Sequence, residues 1–144
     1  MAYGMNPISI TAAAVPLLAS QHGFATLLAN RAAGITFTLP AATGSASRFT
    51  ILVNTTITSN NLIVQVANSS DVMTGVALNA ADGGDTAVMF ETAVDSDTIT
   101  MNGSTKGGIK GDVIELEDVA ANLWRVEVRG SATGTEVTPF SAAV

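Results

Sequence analysis

Two short acidic clusters are the first residues whose spacing could support chemistry. Asp82-Gly83-Gly84-Asp85 and Asp95-Ser96-Asp97 place carboxylates at loop positions, and carboxylate oxygens are the ligands that calcium prefers. Neither cluster continues into an EF-hand loop with its closing glutamate. Turn-forming residues explain both clusters better, so we predict turns here and no metal site.

A glycine-rich segment, a carboxylate pair and one histidine are the other chemical candidates. Residues 107–112 lack the Gly-Lys-Ser/Thr ending of a phosphate loop and precede a strand pattern, so we predict a hairpin connection. Glu115 and Glu117 lie two residues apart near a strand end, and a carboxylate hydrolase is a remote alternative. His22 accompanies no nucleophile-elbow pattern and is interpreted as structural. We predict no catalytic residue.

The composition excludes several classes of site. The 144-residue chain has no cysteine, which excludes disulfides, thiolate nucleophiles and Cys-ligated metal centres. Its single histidine excludes a two-His metal site within one chain. We therefore predict no cofactor and no metal, and we do not expect an enzyme.

Charge is scarce and unevenly distributed. Charged residues make up 12% of the chain, against about 25% in a typical soluble domain, and the net charge of −6 disfavours nucleic-acid binding. Residues 1–70 carry only Arg31 and Arg48, whereas residues 71–118 hold ten of the twelve acidic residues. The simpler interpretation is that the acidic residues solvate loops and outward strand faces. The alternative is that the uncharged N-terminal part contacts other protein while the acidic part faces solvent.

Alternation of apolar and polar residues predicts an all-β fold. Residues 123–129 show the period of two that a half-buried strand requires. The predicted inward set is Trp124, Val126 and Val128, and the outward set is Arg125, Glu127 and Arg129. Arg125 and Glu127 are expected to form a weak surface ion pair.

Similar patterns predict about eight short strands in one domain. They cover residues 35–39, 49–53, 62–66, 72–78, 86–91, 97–101, 112–116 and 123–129. Their spacing favours a single β-sandwich or barrel, jelly-roll-like, over residues 35–144 with a short C-terminal tail. No internal repeat of fixed period is visible, which argues against a solenoid or propeller.

Residues 1–34 form the other predicted part, an N-terminal arm. Pro7 and Pro16 oppose a continuous helix, so residues 1–20 are predicted to be extended, and a short helix is plausible only within residues 17–32. The apolar run at residues 11–19 has no basic residue before it and is about half the length of a membrane span, so neither a signal peptide nor membrane insertion is predicted. An arm this apolar is expected to dock on protein. The predicted contacts with a capsid or another subunit are Ile8, Ile10, Leu17, Leu18, Phe24 and Phe140.

Several segments resemble small structural proteins encoded in the head-gene clusters of tailed bacteriophages. They are TFTLPAATGSASRFTILV at 36–53, TITSNNLIVQVAN at 56–68, SDTITMNG at 96–103, GDVIELEDVA at 111–120 and LWRVEVRGSATGT at 123–135. The resemblance implies a capsid decoration, or cement, protein: a β-rich homotrimer on the outside of the head that holds neighbouring capsomers together. Its implied partners are the major capsid protein and its own copies.

The same resemblance implies a virion location on the capsid surface after assembly in the bacterial host cytoplasm. Related β-modules also occur in phage tails and fibres, so a fibre or receptor-binding head domain is the alternative. Glycan binding by such a domain would need exposed aromatic residues, and Tyr3 and Trp124 are the chain's only tyrosine and tryptophan.

Overall fold

The computed structural model describes residues 7–83 and 85–144, which form twelve short strands and one short helix. The strands are β1 (Ile8–Ile10), β2 (Ala14–Pro16), β3 (Thr26–Ala29), β4 (Thr36–Thr38), β5 (Arg48–Val53), β6 (Leu62–Gln65), β7 (Val72–Ala80), β8 (Ala87–Glu91), β9 (Thr98–Met101), β10 (Val113–Ala120), β11 (Leu123–Ser131) and β12 (Phe140–Ser141). The helix α1 covers Ala19–His22.

The strands form two facing sheets that enclose one core. The large sheet has the order β1-β3-β5-β10-β11-β7-β8, and the small sheet has the order β12-β9-β6-β4-β2. The predicted all-β sandwich is confirmed, and each of the eight predicted strands is found. The predicted number is too low, because β1, β2, β3 and β12 contain only two to four residues each. Their segments contain too few alternations to stand out in the sequence, whereas β4, which is equally short, lies within the alternating run at residues 35–39.

The first six strands alternate between the two sheets. In the large sheet β1, β3 and β5 pair in parallel, and in the small sheet β2, β4 and β6 do the same. The chain thus winds in successive coils through the two sheets. In the large sheet, Leu27 of β3 pairs with Ile8 of β1 and with Ile51 of β5. The coil from Leu27 to Ile51 therefore contains more residues than the coil from Ile8 to Leu27. Because the coils differ in length, they leave no fixed period in the sequence.

The remaining strands are mainly antiparallel. β10 lies between β5 and β11 and runs antiparallel to both, which joins the coiled half of the large sheet to its other half. β9 belongs to the small sheet. The glycine-rich segment between β9 and β10 therefore crosses from one sheet to the other, and the hairpin predicted there is wrong.

The core lies between the inward faces of the two sheets. Trp124 is fully buried at 0% exposure, and its ring centroid lies 5.9 Å from the ring centroid of Phe49. The alternation predicted for β11 is confirmed, with its apolar residues buried and its charged residues outward. Only glycine fits at position 75 on β7, because a Cβ there would lie 1.8 Å from the Val126 carbonyl oxygen.

The N-terminal segment docks on its own chain. Its predicted extended character is confirmed at β1 and β2, and the short helix predicted within residues 17–32 is α1. β1 extends the large sheet and β2 extends the small sheet. The first six residues of the predicted arm lie outside the described residues. The rest of the segment is integrated into both sheets, because its apolar side chains complete the same core.

Candidate interaction surface

The outward face of the large sheet carries a ladder of opposite charges across β5, β10 and β11. Glu117 lies between Arg48 and Arg125 in the strand register. The Arg48 guanidinium lies 2.8 Å from the Glu117 carboxylate. The predicted ion pair of Arg125 and Glu127 is also present, with 3.4 Å between guanidinium and carboxylate. Glu115 and Arg129 complete the ladder, which then has three arginines, three glutamates and no net charge.

Arg129 contacts both glutamates of the one like-charge pair in the ladder. Glu115 and Glu127 face each other directly across β10 and β11, an arrangement that is unfavourable for like charges. The Arg129 guanidinium lies 2.8 Å from the Glu115 carboxylate and 3.9 Å from the Glu127 carboxylate, so it offsets part of their repulsion. The Glu115 and Glu117 carboxylates proposed for a hydrolase are thus each paired with an arginine. They line a shallow open depression of about 180 Å³.

Asp118 lies on the inward face of β10 and fixes a loop. The backbone N–H groups of Thr43, Gly44 and Ser45 donate to its carboxylate at 2.7–3.1 Å, and the Ser45 hydroxyl donates at 2.7 Å. Burial alone would raise the pKa of Asp118, but these hydrogen bonds outweigh it and lower the pKa to about 2. The carboxylate therefore stays charged and holds the loop to the sheet.

Asp112 occupies the opposite end of the same inward face. Its carboxylate accepts hydrogen bonds from the N–H groups of Gly108 at 2.8 Å, Ile109 at 3.1 Å and Ser131 at 3.0 Å. Here burial dominates and raises the pKa of Asp112. Gly130 makes room for the group, since a Cβ there would lie 2.5 Å from the Asp112 carboxyl carbon.

The buried acidic residues correct the interpretation of the acidic segment. Asp71, Asp97, Asp112 and Asp118 are buried, so the expectation that acidic residues solvate loops and outward faces is wrong for them. Burial would raise the pKa of Asp97, but hydrogen bonds from the Ala143 and Val144 N–H groups and from the Thr98 hydroxyl lower it. For Asp112 and Asp118 the available signal was strand parity, because residues 114, 116 and 118 share the buried face of β10 and Asp112 immediately precedes that strand with the same parity.

An exposed apolar patch lies at the β8 end of the large sheet. Val76 and Leu78 on β7 and Met89 on β8 face outward, and Leu78 and Met89 are direct cross-strand neighbours. Met89 is 65% exposed. We call these three residues the β8 patch. β8 is the last strand of its sheet, so its outer edge has no neighbouring strand within the described chain.

Two more exposed apolar residues, Leu18 and Phe24, lie on either side of α1, and we call them the Phe24 patch. The Phe24 side chain is 67% exposed, and its backbone adopts a φ of 60°, which is costly for a bulky residue. The Phe24 N–H donates to the Arg48 carbonyl at 3.2 Å, which holds it at the start of β3. An exposed aromatic residue held in a strained conformation is typical of a contact site.

The predicted contact residues fall into two groups. Ile10, Leu17 and Phe140 are buried in the chain's own core, and Ile8 packs against that core from a partly buried position. Their side chains support the sandwich and leave little surface for a partner. Leu18 and Phe24 are exposed and make up the Phe24 patch.

The remaining chemical candidates have structural contacts. The His22 Nδ1 accepts a hydrogen bond from the Leu18 N–H at 3.0 Å, which closes the α1 turn. Asp82 accepts one from the Gly134 N–H at 2.9 Å, and Gly84 of that cluster lies outside the described residues. The Asp97 carboxylate accepts a hydrogen bond from the Ala143 N–H, so it is engaged with the C-terminal segment.

Within residues 7–83 and 85–144, no group of three metal-ligating His, Asp or Glu side chains is found. The described part of the chain also contains no helix long and apolar enough to cross a membrane. Comparisons of the chain with protein family models, curated proteins and solved structures found no match.

Proposed function

We propose that the chain is a structural virion protein that binds the outside of a tailed-phage head as a homotrimer and stabilises contacts between capsomers. The observation that carries this proposal is the Phe24 patch, in which a large aromatic side chain is presented to solvent from a rigid sandwich. The resemblance of segments across residues 36–135 to phage decoration proteins supports the same role.

The energetics of a decoration protein fit small patches of this kind. Burial of apolar surface is worth about 25 cal/mol per Å², so one patch on one subunit gives only modest affinity. Three copies on a rigid trimer bind together, and the effective concentration of the second and third contacts multiplies the affinity. The low charge fraction and mean hydropathy of +0.40 also favour a chain that covers part of its surface in an assembly.

The alternative is a tail-fibre or receptor-binding domain. It is less favoured because Trp124 is buried, and the open depression is lined by arginine, glutamate and threonine together with the buried residues Phe49 and Leu116. Trp124 is the chain's only tryptophan, and its only tyrosine, Tyr3, lies outside the described residues. An enzyme is less favoured still, since the carboxylates of Glu115 and Glu117 are already paired with arginines.

The direct test combines the purified chain with phage heads that lack it. We expect sedimentation of the free chain to give a trimer at micromolar concentration, and electron microscopy to show knobs on the heads, which become more resistant to heat. A monomer that leaves heads undecorated at saturating concentration contradicts the proposal.

Phe24→Gly tests the patch itself. Glycine adopts a positive φ without strain, so the variant should fold with a free energy of unfolding at least equal to that of the parent chain, while decoration or trimer formation is lost. Val94→Ser is the matched control, because Val94 is 93% exposed and belongs to neither patch. Normal assembly and decoration by Phe24→Gly would remove Phe24 from the contact.

A further inference from the structure

We propose that the outer edge of β8 is a docking site for an extended segment of another protein that alternates apolar residues with lysine or arginine. The segment would add to the large sheet as an eighth strand. This inference rests on the proposed function, because it names a surface through which the chain would be attached to a partner.

β8 differs from the other sheet edges by being long and unprotected. β1 and β2 have three residues each, β2 ends in Pro16, and β12 has two residues. β8 has five residues, with neither proline nor lysine, the usual protection of an exposed edge. It pairs with β7 in unbroken register from Ala87 to Glu91. It is therefore the edge best suited to accept another strand.

The hydrogen-bonding groups on that edge can be assigned. Flanking the ladder, the Ala81 N–H donates to the Thr86 carbonyl at 3.0 Å, and the Thr92 N–H donates to the Gly75 carbonyl at 3.1 Å. Bonded pairs alternate along an antiparallel ladder, so within β8 Val88 and Phe90 bond to β7. Their neighbours direct N–H and C=O groups to the open edge. These open-edge residues are Ala87, Met89 and Glu91.

The side chains along the edge specify the composition of the docked strand. Val88 and Phe90 point toward the core margin and are only partly buried, so an apolar residue beside them would complete their burial. Met89 and Glu91 face outward and are exposed. A lysine or arginine beside them could cover Met89 with its aliphatic stem and reach the Glu91 carboxylate with its charge.

The charge around the edge selects among possible occupants. No lysine or arginine occurs between Arg48 and Lys106, and the exposed acidic residues near β8 are Asp82, Asp85, Glu91 and Asp95. A second copy docked antiparallel about Met89 would place Glu91 opposite Ala87 and diagonal to Asp85 of the other copy, so it would bring together two acidic edges that have no lysine or arginine between them. The chain's own segments before Arg31 and after Ser131 contain no lysine or arginine. A basic strand of another protein is the complementary occupant.

The test uses the full chain and a fluorescent, end-blocked peptide of alternating valine and lysine. Its matched control replaces each lysine with glutamate. We expect saturable binding of the lysine peptide by fluorescence polarisation, and at least about tenfold weaker binding of the glutamate peptide. Hydrogen exchange followed by NMR should slow at the Ala87, Met89 and Glu91 amides when the lysine peptide is bound.

Met89→Pro and Met89→Ile separate backbone docking from side-chain contact. Proline removes an N–H that faces the open edge, so it should leave the β7 ladder intact while weakening peptide binding about tenfold. Isoleucine keeps that N–H and should bind nearly as tightly as the parent chain. If the proline variant does not fold, the exchange pattern of the parent chain decides the question.

Three outcomes would overturn the proposal: no binding of the lysine peptide, protection only at other amides, or equal binding by both peptides. Concentration-dependent protection of the three amides without peptide would also overturn it, by showing that a second copy occupies the edge. Because the experiment uses no phage heads, decoration of heads without peptide binding would reject this surface alone. Peptide binding without decoration would reject the proposed function alone.

Discussion

The two faces of β10 carry acidic residues in opposite settings. On the inward side, Asp118 and Asp112, the residue just before β10, are buried and held mainly by backbone N–H groups of loops. On the outward face, Glu115 and Glu117 are paired with arginines and contact solvent. The same residue chemistry thus holds loops to the sheet on one face and forms exposed ion pairs on the other. Strand parity, more than local acidity, decides which of the two roles a carboxylate has.

The largest loss of stability is expected on the inward side, at Trp124 of β11, which pairs with Asp118 of β10. Trp124→Ala should lower the free energy of unfolding by about 3–5 kcal/mol, through lost burial and a cavity beside Phe49. Denaturant unfolding measures this loss. Trp124→Phe keeps an aromatic ring and should lose clearly less. A Trp124→Ala chain of parental stability that fails to bind a partner would instead place Trp124 in a binding surface.

An intermediate effect is expected at Asp118. Asp118→Asn replaces one acceptor oxygen with an NH₂ group facing N–H donors, and should lower the free energy of unfolding by about 2–3 kcal/mol at neutral pH. The folded pKa of about 2 is below the ordinary value of 3.8, so the charged carboxylate stabilises the fold above pH 3.8. That contribution is lost as the pH falls toward 2, and the difference between parent and variant should shrink there.

Asp112→Asn is the matched control, because burial raises the pKa of Asp112 above 3.8. The protonated form is favoured in the fold, so this group's contribution is complete below pH 3.8 and is lost as the pH rises through the raised pKa. Asn resembles the protonated form, and we expect a smaller loss than for Asp118→Asn at neutral pH. Equal losses and parallel pH profiles in denaturant titrations would contradict the assigned difference between the two aspartates.

The smallest effect is expected on the outward face at Arg129. Arg129→Met keeps the aliphatic stem but leaves Glu115 and Glu127 facing each other, and should lower the free energy of unfolding by less than about 1 kcal/mol. The loss should decrease in high salt. Adding Glu127→Gln to this variant should restore part of the stability. A loss as large as that for Asp118→Asn would show that the ladder is structural.

Much of the fold was predictable because its longer strands alternate clearly. Residues 123–129 showed which side chains of β11 would be buried, and the structure has the same assignment. The short strands β1, β2, β3 and β12 could not be found this way. In the interaction surface, Leu18 and Phe24 were identifiable as apolar candidates. Their exposure, and the burial of Ile10 and Leu17, depended on how the N-terminal segment docks.

By itself the sequence determined the all-β class, the alternation of the long strands, the scarcity of charge and the absence of cysteine chemistry. These properties depend on residue types and on spacings within single strands. Only the tertiary structure decided the coiled path of the first six strands, the position of β8 at the edge of its sheet and the burial of Asp112 and Asp118. Each of these depends on pairing between segments far apart in the chain, since burial and edge position are properties of a strand's neighbours in space.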